Sequence, residues 1–295
     1  MKILMTGASG FVGKRVLEHL LSNNYVIALS SQTLDGVTSI PSLNYSFDND
    51  YLRNNGCEQT EVLLHVGAFT PKTTQDADDL ELTTENILNT QRLLQSDLPN
   101  LKKIVFISTL DVFQHCEGVL SENTPTIPST MYGWSKLYCE QIIRKHCEAK
   151  GIDCIILRLG HVYGEGEEKY RKVMPIMVRN AINGENLNIY GDGEAIRSFI
   201  YIDDVAQAIN NALSLQGFKV INVVGDETTT INELADLIKS FSDKDITILH
   251  TEANQPYVNY IFDNSLLRKY LLHDLTPLKV GLKKEYQYME RLIRG

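Results

Sequence analysis

Apolar positions along this chain follow two periods. Short apolar runs alternate with stretches in which apolar residues return every three or four positions, the spacing of a half-buried helix. Ile3–Met5 opens the first kind, and Lys14–Ser22 opens the second through Val16, Leu17, Leu20 and Leu21. Further strands are expected at Tyr25–Leu29, Asn44–Phe47, Glu61–Val66, Leu101–Ser108, Ile152–Leu159 and Val220–Val224, with a strand and turn at Leu187–Gly193. Helices are expected at Leu80–Gln95, from Tyr132 to about Lys150, at Lys169–Ala181, Val205–Leu215 and Thr230–Ser240, and in a last pair split by Pro277. Asp203 and Asp204 are expected to N-cap the helix that follows them. Strands that alternate with helices imply an α/β fold: a doubly wound parallel sheet of about seven strands with helices on both faces. No internal repeat, low-complexity tract or flexible linker interrupts the pattern.

Between the first strand and the first helix stand Gly7, Gly10 and Gly13, introduced by Thr6. Strand, glycine turn and helix form the start of a dinucleotide-binding unit. Gly7 permits the sharp turn, Gly10 lets a pyrophosphate approach main-chain amides, and Gly13 lets the helix lie close to the strand. The helix N-terminus, through Phe11 and Val12, presents unsatisfied N–H groups to the phosphates. A cofactor of this kind is read again at the end of the second strand. Ser30-Ser31-Gln32 carries no acid to bind the adenosine ribose and repel a 2′-phosphate, while Arg15 on the first helix offers a cation for it. NADP is therefore preferred over NAD, although the usual basic residue after the strand is also missing.

The Gly-x-x-Gly-x-x-Gly spacing after Thr6 resembles the signature of the extended short-chain dehydrogenase/reductases, and later segments extend the likeness to about residue 285. His65-Val66-Gly67-Ala68 resembles the family segment that passes under the cofactor, where small residues admit a close approach. His65 itself is given no role. Asn86-Ile87-Leu88-Asn89-Thr90 resembles a family helix segment beside the active site, often at a dimer interface. Ser108-Thr109 ends the fifth strand, and Tyr132-Gly133-Trp134-Ser135-Lys136 follows 23 residues after Thr109. Tyr132 and Lys136 lie one turn apart on one helix face, so an ammonium beside the phenol is expected to lower its pKa. Arg158 to Gly166 resembles another family segment, with His161 in place of the usual Asn and Glu165 in place of the usual Pro. Arg197, before Phe199 and Val205, occupies the place of the family arginine that binds a nucleotide-sugar diphosphate.

The resemblance implies a Rossmann fold with a smaller C-terminal substrate-binding lobe. Residues 1–165 and 199–224 would bind the dinucleotide, and 166–198 with 225–295 would bind substrate. It implies Thr109, Tyr132 and Lys136 as the catalytic set. Cofactor contacts would come from Gly7, Gly10, Phe11, Val12, Gly13, Ser30, Ser31, Asp48, Val66, Gly67, Ala68 and Lys136, and substrate contacts from Asp111, His161 and Arg197. Asp48 would cap the adenine edge, or equally N-cap the following turn. The implied partner is a nucleotide-diphosphate sugar oxidised or reduced at a ring carbon, most often C4. A 4-keto-6-deoxy-sugar reductase is the expected activity, a 4-epimerase with tightly bound NAD the alternative, and a non-catalytic cofactor sensor the distant one. Leu110 stands where a dehydratase carries an acid, so dehydration is the least expected outcome. A homodimer is implied.

Composition narrows the classes further. A formal net charge of −9 disfavours non-specific nucleic-acid binding. No apolar run reaches the length of a membrane span, and the chain runs into a strand at once, without the segments of a secretion signal. Five cysteines without a CxxC pair suggest reduced thiols in a cytoplasmic protein rather than disulfides or a metal site.

Overall fold

The computed structural model describes residues 1–42, 45, 49–73, 75–113, 118–252 and 259–295. In chain order the elements are β1 (Lys2–Thr6), α1 (Phe11–Leu20), β2 (Tyr25–Ser30), β3 (Thr38–Pro41), α2 (Asn49–Asn54), β4 (Val62–His65), α3 (Leu80–Gln95), β5 (Lys103–Thr109), β6 (Val119–Leu120), α4 (Met131–Lys150), β7 (Asp153–Leu159) and β8 (His161–Tyr163). There follow α5 (Val173–Asn183), β9 (Leu187–Tyr190), β10 (Ile196–Tyr201), α6 (Ile202–Ala212), β11 (Phe218–Val223), β12 (Thr228–Thr230), α7 (Ile231–Lys239), β13 (Ile248–Thr251), β14 (Ile261–Phe262), α8 (Ser265–Tyr270) and α9 (Leu278–Arg294).

Seven parallel strands form the central sheet in the order β11-β7-β5-β4-β1-β2-β3. Because side chains alternate across a strand, each strand feeds two cores. Ile3, Met5, Val105, Ile107, Ile155 and Leu157 pack on one face with α1 and α6. Leu4, Ile27, Leu63, Ile104, Phe106 and Ile156 pack on the other with Leu93 of α3 and Ile143 of α4. Burying each such side chain contributes about 1.5–3 kcal/mol, which is why these runs are apolar at every position. Among the described residues three small sheets, β12-β10-β8, β13-β9 and β14-β6, accompany it.

The chain winds outward from β1 to β3, then returns to the other side of β1 to place β4. The crevice beyond the strand ends at this reversal is where open α/β sheets bind ligands.

Several expectations change. Asn44–Phe47, expected as a strand, lies outside the described residues except for Tyr45, and the third strand of the sheet is Thr38–Pro41. Its burial rests on Ile40 alone, too little for a visible period, and Pro41 is tolerated because the strand is at the sheet edge. Asp203 and Asp204 sit inside the first turn of α6, whose N-cap is Tyr201. Asp203 instead pairs with Arg15 at 2.8 Å, and Asp204 accepts hydrogen bonds from the Thr276 amide and hydroxyl. The helix expected from Lys169 begins at Val173. Four cysteines, Cys57, Cys139, Cys147 and Cys154, are free and buried, and Cys116 lies outside the described residues. Among the described residues no helix is long and apolar enough to cross a membrane.

Candidate active site

A cleft of about 710 Å³ opens at the sheet reversal. Its floor is the glycine turn. Gly7 has φ +71°, and a Cβ there would meet the Cα of Gly67 at 2.5 Å. A Cβ on Gly13 would meet the Gly7 carbonyl oxygen at 1.9 Å, so α1 can lie this close only with glycine. Gly10, Phe11 and Val12 line the cleft with them, and α1 begins without a side-chain cap. That leaves the helix N-terminus to a ligand's phosphates, so the cradle fits a dinucleotide.

The opposite wall, Val66-Gly67-Ala68, is fixed from below by a histidine that sequence reasoning left without a role. The Gly67 amide donates to Thr6 Oγ1 at 2.9 Å. Thr90 donates its hydroxyl proton to the Asn86 carbonyl, so it accepts from His65 Nε2 at 3.0 Å, and His65 Nδ1 accepts from Thr6 at 2.8 Å. Burial drives the His65 pKa down to about 3, which favours the neutral ring that this relay needs. Asn86 accepts from the Phe69 amide at 2.7 Å and reaches Ser135 at 3.2 Å, tying the wall to α4. Asn86 and Thr90, one turn apart in sequence, were the visible half of this signal.

Thr109 ends β5, and α4 starts beside it. Thr130 caps α4 by accepting from the Gly133 amide, and Asp78 accepts from the Met131 amide. The first turn of α4 therefore holds Tyr132 in a fixed position, with Lys136 one turn on. Both line the cleft with Thr109 and Asp111. Thr109 Oγ1 donates to Asp111 Oδ2 at 2.9 Å. Beneath Thr109, Ser108 donates to Glu140 at 2.6 Å, and Arg158 binds Glu140 in a buried two-pronged pair at 3.0 and 2.7 Å.

The electrostatics differ from the expectation that Lys136 would lower the Tyr132 pKa. Burial of the phenol raises it, the Asp111 charge raises it further, and the hydroxyls of Thr70 and Thr109 oppose both. Desolvation dominates because Tyr132 is 8% exposed. Burial also pulls Lys136 down to about 8, with the Cys139 and Glu140 groups opposing. The Lys136 ammonium stands 4.3 Å from the centre of the Phe106 ring.

At the far end of the cleft are His161, Tyr170, Lys172, Arg197, Tyr260 and Phe262. Burial and the charges of Arg197 and Lys172 push His161 down to about 4, so it is a neutral imidazole. The Arg197 guanidinium lies over the Tyr260 ring at 4.8 Å and donates to the Ile196 carbonyl at 2.8 Å. Tyr260 and Phe262 were not anticipated. They arrive through β14, which pairs with the two-residue strand β6 just after the Thr109 segment.

Ser30 and Ser31 are not among the residues lining the cleft, and Ser30 Oγ accepts from the Gln32 amide at 3.1 Å. Arg15 does not reach that strand end. It is held by Asp203, Glu165 and Glu18 at 2.8, 3.3 and 3.1 Å. Asp48 lies outside the described residues. Among the described residues no group of three or more His, Cys, Asp or Glu side chains is placed to hold a metal ion.

A glycine-turn cradle at the reversal of a parallel sheet, beside Thr109, Tyr132 and Lys136, defines an extended short-chain dehydrogenase/reductase. The model of the NAD-dependent epimerase/dehydratase family matches residues 3–223, and the chain belongs to that family. It is 30% identical over 253 residues to a putative UDP-glucose 4-epimerase of Methanocaldococcus jannaschii, covering 80% of this chain and 81% of that one. It is 27% identical to an uncharacterised UDP-glucose epimerase, YtcB, of Bacillus subtilis, over the full length of both. Among solved structures, the UDP-glucuronic acid 4-epimerase of Bacillus cereus, in complex with UDP-glucuronic acid and NAD, superposes with a TM-score of 0.86. That pair is 27% identical and covers 99% of this chain and all of the other.

Proposed function

We propose that this enzyme is an NAD-dependent 4-epimerase of a UDP-sugar. The observation that carries the reading is the Thr109, Tyr132 and Lys136 set beside the glycine cradle, in a chain whose relatives bear that activity in their names. The expected reductase is displaced on two grounds. Its argument was an NADPH preference, and the cation offered for the 2′-phosphate, Arg15, is held by acids elsewhere. The two curated relatives above are named as epimerases, one uncharacterised and one putative, and the Bacillus cereus 4-epimerase holds NAD.

Gly7, Gly10, Gly13 and the start of α1 would hold the pyrophosphate, and Val66, Gly67 and Ala68 would pack against the cofactor. Bound NAD supplies a reversible hydride acceptor at the sugar carbon. Tyr132, as its phenolate, would take the proton of the reacting hydroxyl, and once the keto sugar has turned its other face to the cofactor would return that proton to the same oxygen. Burial and the Asp111 charge favour the neutral phenol, which is the donor of the reduction half, while the oxidation half starts from the phenolate. Thr109 hydrogen-bonds the reacting oxygen, and Arg197 binds the diphosphate. Leu110 supplies no proton, which disfavours dehydration. The division into a cofactor domain and a substrate lobe, with the cleft between them, belongs to this reading.

So does a homodimer. Leu80 is 62% exposed, Trp134 48% and Tyr138 46%, on two neighbouring helices, α3 and α4. A second copy with the same helices would cover them, as C₂ interfaces pair identical patches.

The 4-keto-6-deoxy-sugar reductase remains the second reading, on the acid-free Ser30-Ser31 strand end. Denaturing the purified protein and assaying the released nucleotide separates the two. NAD in the supernatant, and interconversion of UDP-sugars without net change in reduced cofactor, is the expected result. Stoichiometric NADPH consumption against a 4-keto sugar would replace it with the reductase.

A further inference from the structure

Residues 164–170, between β8 and α5, join the far end of the cleft to the glycine cradle. Tyr170 meets Phe11 of the cradle ring to ring, 5.9 Å between centroids, and both line the cleft. The Gly166 backbone lies against the same Phe11 ring, since a Cβ there would stand 3.3 Å from it. The segment is tightly turned. The Glu167 amide donates to the Gly164 carbonyl at 3.1 Å, and the Tyr170 amide to the Glu167 carbonyl at 2.9 Å. Gly164 and Gly166 take φ of +132° and +101°, and Glu165 between them reaches Arg15 on α1.

Glu165 is held from two sides. Its Oε2 accepts from Arg15 Nη2 at 3.3 Å and from the Tyr201 hydroxyl at 2.7 Å. Arg15 is itself oriented by Asp203 on Nε at 2.8 Å and by Glu18 on Nη1 at 3.1 Å. Three nitrogens of one planar guanidinium thus meet acids from α1, from α6 and from the segment, a fork that a lysine ammonium lacks. Arg15, Glu165 and Asp203 are not among the residues lining the cleft.

We propose that Arg15 and Glu165 are positioning residues of the cofactor site: their ion pair clips residues 164–170 onto α1, and the clip slows the departure of the bound dinucleotide. This rests on the reading of the cleft as a dinucleotide site. The N-terminus of α1 would hold the pyrophosphate, so fastening the segment to α1 fastens it to the cradle itself. On its other side the segment is held by α5, where Arg179 donates to the Glu168 carbonyl at 2.8 Å. With the Arg15 contact gone, packing on Phe11 would be left to join the segment to α1, and Tyr170 would leave Phe11 more often. Glu165 stands where the family pattern has proline, whose side chain accepts no hydrogen bond from Arg15 or Tyr201. The pair is partly exposed, Arg15 27% and Glu165 21%, so its effect is modest and falls on a rate.

Release of bound NADH, followed by its fluorescence during a chase with excess NAD, tests the clip. Arg15→Met and Glu165→Gln should each speed release about 5-fold, the scale of one partly exposed ion pair. The double variant should be no faster than either, because each change removes the same contact. Arg15→Lys should recover part of the retention. Glu18→Gln, which alters a contact within α1 alone, should release NADH at the wild-type rate.

Unchanged release in Arg15→Met and Glu165→Gln overturns the proposal, and a lowered melting temperature beside it would mark a purely structural ion pair. Effects that add in the double variant, or Arg15→Lys retaining NADH no better than Arg15→Met, overturn it as well. So does release from Glu18→Gln as fast as from Glu165→Gln, which would assign the effect to the charge of the helix. A wild type that binds NADPH and not NADH ends the NAD reading, and the same chase with NADPH and excess NADP then decides the clip. A wild type that binds neither ends the dinucleotide reading and the proposal together.

Discussion

At the scale of single residues, the site is governed by desolvation more than by pairing. Tyr132 and Lys136 share a helix face, yet burial moves each toward its neutral form, the phenol up and the amine down. Asp111 adds to the effect on Tyr132 while it takes the hydrogen bond of Thr109. In the proposed epimerase the neutral phenol is the donor of the reduction half, and its phenolate the acceptor of the oxidation half. Tyr132→Phe is expected to lose about 10²–10⁴-fold in turnover while NAD stays bound. Turnover near the wild-type rate in that variant would remove Tyr132 from the mechanism.

At the scale of elements, α4 has two tasks. Its inner face carries Tyr132, Lys136 and Glu140, and is locked by the Thr130 and Asp78 caps and by the Arg158 pair. Its outer face exposes Trp134 and Tyr138 next to α3. In the proposed dimer, covering this apolar surface would also restrain the helix that bears Tyr132 and Lys136. Trp134→Glu combined with Tyr138→Glu should give a monomer by light scattering, with the wild type a dimer. A wild type that is already monomeric at micromolar concentration would end the dimer reading.

At the scale of the whole molecule, the cleft exists because distant segments converge on one sheet reversal. Residues 7–13 and 66–68, the end of β5, the start of α4 and segments around 161, 170, 197 and 260 all line it. Arg197 belongs to a small sheet, β12-β10-β8, in which Phe199 pairs with His161. Arg197→Ala should therefore raise KM for the nucleotide sugar strongly and leave NAD affinity unchanged in parallel titrations. Loss of NAD binding instead would place Arg197 on the cofactor side.

The sequence by itself determined the features that depend on neighbours along the chain. Gly7, Gly10 and Gly13, the Tyr132 to Lys136 spacing, the helix at Leu80–Gln95 and the order of the main strands were all legible. Each rests on a backbone conformation or a helical period that few other residues satisfy. The tertiary structure decided what depends on partners far away. Arg15, offered to a phosphate, went to Asp203, which α6 brings within reach by packing on α1, and to Glu165 after β8. The Tyr132 pKa goes up because burial, which no local spacing encodes, dominates and the Asp111 charge adds to it. His65 and Tyr260 carried no motif. Their places come from Thr6 and Thr90 and from the β14–β6 pairing, contacts that exist only once the chain has folded.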